Sequence, residues 1–118
     1  MTTSRLAVAT DPAMALVVRI FVGSMTERWD VPEPVRDDLR LAASELFAGA
    51  VEAGYGDVVT FELSAEDGAI ELLVAEAHAG NPTNGVPLEG RDGRFDLIRA
   101  LFPDADIGES VRIRVPTG

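Results

Sequence analysis

Hydrophobic and polar residues follow two different periods along the chain, and each change of period marks a new element. In "RLAVAT", Leu6 and Val8 sit between Arg5, Ala7 and Ala9, the two-residue repeat of a strand with one buried face. After Asp11 the repeat lengthens, and Met14, Val17, Val18, Phe21, Met25 and Trp29 recur at helical spacing. Asp11 is suited to cap that helix, and Pro12 fits its first position, where no intrahelical N–H is needed. The spacing predicts one long helix with a single apolar stripe. "VPEPVRDD" punctuates the chain with two prolines, after which Val35, Leu39, Ala42, Leu46 and Ala50 share a face of a second helix that Gly54 and Gly56 end. Asp37 and Asp38 are expected in its first turn, at the positive end of the helix dipole.

The two-residue period returns in "DVVTFELSAEDGAIELLVAEA". Asp67-Gly68 is a hairpin signal, and Val59, Phe61 and Leu63 answer Ile70, Leu72 and Val74 across it. A stretch of about sixteen residues follows, "HAGNPTNGVPLEGRDG", with glycine and proline throughout, a loop length that is commonly functional. Phe95, Ile98, Leu101 and Phe102 predict a short third helix closed by Pro103. "SVRIRV" reads as a last strand with Val111, Ile113 and Val115 inward and Arg112 and Arg114 in solvent. The predicted order β-α-α-β-β-loop-α-β fits an α+β fold: a two-layer sandwich with a mixed, mostly antiparallel sheet and helices on one face.

Composition narrows what such a domain can do. The 118 residues suit one domain over residues 1–118, and 47% hydrophobic with 25% charged residues is ordinary for a globular protein. No apolar run approaches the roughly 18 residues of a membrane span. The first residues lack a basic segment leading into a continuous apolar stretch, so a cytoplasmic location is expected. With no cysteine there are no disulfides, thiolate metal sites or cysteine nucleophiles. All ten basic residues are arginine, which excludes Schiff-base chemistry and a Walker-type lysine. A net charge of −10 repels phosphate backbones and anionic membranes. The expected partner is a protein with a basic surface.

The second helix holds the first candidate chemistry. Glu45 and position 49 are four residues apart and project side by side, where a glutamate and a polar partner can act together. Position 49 is glycine, which costs roughly 0.5–1 kcal/mol relative to alanine in a helix interior. One reading is close packing of the helix against a strand or loop. Glu52, one turn beyond position 49, could reach back toward Glu45 but is expected on a different face of the helix.

The element order, the Ser44-Glu45…Ala50-Val51 helix, the glycine-containing loop after a strand and the closing Gly108-Glu109-Ser110-Val111-Arg112-Ile113 together resemble the anti-sigma-factor serine kinases of the GHKL (Bergerat-fold, histidine kinase-like) ATPase superfamily. The resemblance covers nearly the whole chain and lies in order and pattern more than in intact motifs. It implies a general-base glutamate on the second helix, matched by Glu45, and four residues later an asparagine that holds the magnesium bridging the nucleotide phosphates. Gly49 stands in that place and offers no oxygen to a metal that prefers hard oxygen ligands. Read this way, the glycine marks a lost ligand site and Glu45 a vestigial base.

Two further stretches bear on the same resemblance. After the third strand the family carries an adenine-binding aspartate followed by glycines; this chain offers Glu76, His78 and Gly80. Glu76 keeps the carboxylate with an extra methylene. His78 puts an imidazole where a glycine lets backbone and ligand approach, although a lone loop histidine is more often exposed or packed. In "EGRDGRFDLIRAL", Gly90, Gly93 and Arg94 resemble the phosphate-covering segment, where glycines ahead of a helix present backbone N–H groups. Arg94 falls where a close-approach glycine is expected, and it pairs with a phosphate, fills the pocket, or is a solvated helix-start residue.

Three departures, at Gly49, His78 and Arg94, converge on one cleft. The sequence therefore favours a regulatory protein-binding module resembling an anti-sigma factor, with no cofactor and no metal. A sigma factor or an anti-sigma-factor antagonist is the implied partner, and the resemblance implies a homodimer. The alternative is an active serine protein kinase using ATP and Mg2+, with Glu45 as base.

Overall fold

The computed structural model describes residues 2–53, 56–78, 81–85, 95–108 and 110–117, with backbone alone at 53, 77–78 and 81–85. The chain runs through strand β1 (Thr2–Ala9), a 3-10 turn (Pro12–Met14), helices α1 (Ala15–Arg28) and α2 (Glu33–Ala53), strands β2 (Val58–Glu66), β3 (Ala69–His78) and β4 (Asn81–Gly85), helix α3 (Asp96–Leu101), and strands β5 (Asp106–Ile107) and β6 (Val111–Pro116). The sheet order is β1-β2-β3-β6-β5, with β4 also paired to β3, and every pair is antiparallel. This is the expected α+β sandwich, although no parallel pair makes the sheet mixed among the described residues.

The hairpin forms as its alternation predicts. Phe61 lies opposite Val74 and Leu63 opposite Leu72, and all four side chains are buried. Gly68 completes the turn at φ 77°, a left-handed conformation that glycine adopts without a Cβ clash. One sheet face carries Val59, Phe61, Leu63, Ile70, Leu72, Val74, Val111 and Ile113 into the core. The other face is charged, with Arg112 and Arg114 reaching Glu71 at 3.4 and 3.7 Å and Arg114 reaching Glu66 at 3.5 Å. Leu39, Ala42, Leu46 and Ala50 of α2 meet the apolar face as expected, joined by Ala43 and Phe47.

Several local expectations are corrected. Asp11 caps the 3-10 turn rather than α1, its Oδ1 accepting from the Ala13 N–H at 2.9 Å. α1 buries Val18, Val22 and Thr26, whereas Val17, expected on the apolar stripe, is exposed. α2 begins at Glu33, with Pro34 tolerated in the first turn, so Asp37 and Asp38 lie one turn further in. Part of the expected loop is strand: β4 folds back on β3, pairing Gly85 with Ala77 and Asn81 with His78 across a register shift. Gly54 lies outside the described residues.

α1 ends by a mechanism the sequence did not announce. The Val31 N–H donates to Thr26 O at 2.9 Å and the Asp30 N–H to Glu27 O at 3.1 Å, while Asp30 takes φ 54°. These are the two hydrogen bonds of a Schellman cap, with aspartate where glycine is usual. The buried Val31 follows, and the short connection turns the chain into α2. Gly23 lies at the α1–α2 contact: a Cβ added there would meet Arg40 Cδ at 3.4 Å.

Candidate functional site

α2 forms because helix-favouring residues run from Glu33 to Ala53 with an apolar face that the sheet covers. Glu45 lies on the opposite side. Leu41, Glu45, Ala48 and Glu52, spaced by four, three and four residues, are all exposed and form one outward strip. Glu52, expected on a different face, therefore lies on the same exposed strip as Glu45, two turns along, because seven residues make nearly two full helical turns. Glu45 has neither a hydrogen bond nor an ion pair among the described residues. Gly49 is half-buried at the flank of the strip, inside the helix, with no side chain to complement Glu45.

Glu76 continues the inward series Ile70, Leu72, Val74 and faces Val59 in the β2–β3 register. It is 1% exposed and the only charged side chain among the buried residues described. A buried carboxylate is costly unless its polar atoms are partnered, and Glu76 is not without a partner. The β3–β6 register ends at Val74, and β4 takes over at Ala77, so Glu76 sits at the exchange of neighbours along β3.

The structure thus puts the two candidate carboxylates in opposite environments, Glu45 in solvent and Glu76 inside the sandwich. His78 is the last residue of β3 rather than a loop residue. Gly80, Gly90, Gly93 and Arg94 lie outside the described residues. Among the described residues no group of three or more His, Asp or Glu side chains is placed to hold a metal ion. Gly49 itself supplies no side-chain oxygen to a metal. No helix among them is long and apolar enough to cross a membrane.

A feature that sequence reading missed lies on the far side of α1. Leu16, Val17 and Ile20 are exposed, and an open groove between α1 and α2 is lined by arginines from both helices. The signal was present in "LVVRIFV", six apolar residues in seven, which exceeds what one buried stripe requires.

Compared with known proteins, residues 8–109 match the family described as histidine kinase-like ATPase domain. No curated protein matches the chain.

Proposed function

Because the chain belongs to the histidine kinase-like ATPase domain family, matched over residues 8–109 of 118, we propose that it is a regulatory protein-binding module of the anti-sigma type whose nucleotide and magnesium site has decayed. The observation that carries this reading is Gly49, one helical turn after Glu45 on α2. In phosphoryl transfer the metal neutralises charge developing on the transferred group, and positioning plus electrostatics supply nearly all of the catalysis. A glycine provides no oxygen ligand, and a chain without lysine has no ammonium to take over. Among the described residues Glu45 is an exposed carboxylate with neither a hydrogen bond nor an ion pair.

On this reading the chain acts by sequestration in transcription and stress regulation. Its partner is a sigma factor or an anti-sigma-factor antagonist, and it works as a homodimer. Binding energy then comes from apolar and arginine contacts at a partner surface.

The test is calorimetric titration with ATP and magnesium and then with ADP, alongside incubation of the protein with labelled ATP and candidate antagonist domains. A flat titration and an unlabelled antagonist are expected. Micromolar nucleotide binding with phosphate transferred to a serine would replace this reading with the active kinase.

A further inference from the structure

α1 is apolar on two sides. Val18 and Val22 are fully buried against the sheet, yet Leu16 and Ile20, one turn apart, are 58% and 56% exposed, and Leu41 of α2 is 43% exposed. These three line an open groove of about 710 Å3 between α1 and α2. Contiguous large apolar side chains in water commonly mark an interaction site.

The charge of the groove is opposite to that of the chain. Arg19, Arg36 and Arg40 line it against a single acidic residue, Glu27, in a protein of net charge −10 with ten arginines in all. Arg40 is already engaged, paired with Asp37 and lying over Gly23. Arg19 and Arg36 form no ion pair among the described residues. The Arg36 Nε is buried and lacks an acceptor there. A guanidinium already partly stripped of water loses less hydration when a carboxylate joins it, and the resulting hydrogen bonds are charge-assisted.

We propose that the α1–α2 groove docks an acidic amphipathic helix of a partner protein, its apolar side on Leu16, Ile20 and Leu41 and its carboxylates on Arg19 and Arg36. Two packed helices leave a furrow that accepts a third helix, whose anchors then repeat every three or four residues like those of Leu16 and Ile20. A second copy of this chain suits the groove less well. A two-fold contact sets the same patch against itself, bringing the arginines of both copies together, and both copies carry −10. The proposal rests on the protein-binding reading above and gives its partner surface a chemistry.

The test uses the full chain and two synthetic helical peptides of about 16 residues, each with leucines at helical spacing, one flanked by glutamates and the other by lysines. Fluorescence anisotropy is read at low and high salt. The acidic peptide is expected to bind about tenfold or more tighter than the basic one and to weaken as salt rises. Net charge alone predicts the reverse order. Arg19→Glu and Ile20→Glu, both at exposed positions, should each weaken the acidic peptide about tenfold, whereas Arg112→Glu on the opposite sheet face leaves it unchanged. Thermal melts establish that the variants are folded. Stronger binding of the basic peptide, binding of neither, or insensitivity to Arg19→Glu overturns the proposal. So does a wild-type dimer in sedimentation that Ile20→Glu splits, since the groove would then hold a second copy. Nucleotide turnover with intact peptide binding would sink the module reading alone, and a flat nucleotide titration without peptide binding would sink only the groove.

Discussion

Phe47 of α2 and Phe61 of β2 lie with ring centroids 6.4 Å apart and planes tilted by 48°, joining the helical layer to the sheet. Both are essentially inaccessible to solvent. Truncation at this contact leaves a cavity that neither layer can close. Phe61→Ala is expected to destabilise the fold by about 3–5 kcal/mol, measured by urea unfolding, and Phe61→Leu by clearly less. A loss under 1 kcal/mol for the alanine variant would place the weight of the core elsewhere.

Two of the described residues have left-handed backbone, and they respond in opposite directions. At Gly68, φ 77°, an added Cβ meets nothing within 4 Å, so Gly68→Ala costs only backbone strain, about 1 kcal/mol. At Asp30, φ 54°, the strain is already present. Asp30→Gly should relieve it and raise stability by up to about 1 kcal/mol, visible as a higher melting temperature.

The ion pairs of the outer sheet face contribute little. Arg114 is about half exposed and reaches Glu66 at 3.5 Å and Glu71 at 3.7 Å. Arg114→Ala is expected to cost no more than about 1 kcal/mol, and the difference should shrink in high salt. A larger effect that survives high salt would point to packing of the arginine stem.

Gly49→Asn restores a side-chain oxygen one turn from Glu45. If the glycine is what disables the site, affinity for ATP with magnesium rises at least about tenfold over wild type in calorimetry. Unchanged affinity would place the defect elsewhere, with Glu76 and Arg94 the next positions to vary.

The fold was legible in large part because its signals are local and periodic. Phe61, Leu63, Leu72 and Val74 announced the hairpin, and Asp67-Gly68 announced its turn. Leu39, Ala42, Leu46 and Ala50 gave the buried face of α2. β4 was not legible, since Asn81–Gly85 has no apolar alternation and pairs only because β3 offers it an edge. The outward apolar side of α1 was misread for a related reason: helical spacing groups Val17 with Val18, but packing against the sheet decides which is covered. At the site, residue types at Glu45, Gly49 and Glu76 were readable, while the exposure of the first and the burial of the last were not.

By itself the amino-acid order determined the succession of strands and helices, the charge of −10, the absence of cysteine and lysine, and a glycine one turn after Glu45. These depend on neighbours within a few residues or on counting alone. Only the tertiary structure decided that Glu76 enters the core, that Arg40 lies over Gly23, and that Arg19 and Arg36 meet Leu41 in one basic, apolar groove. Such relationships join residues distant in sequence, and the packing of helix on helix and helix on sheet, which no local period encodes, brings them together.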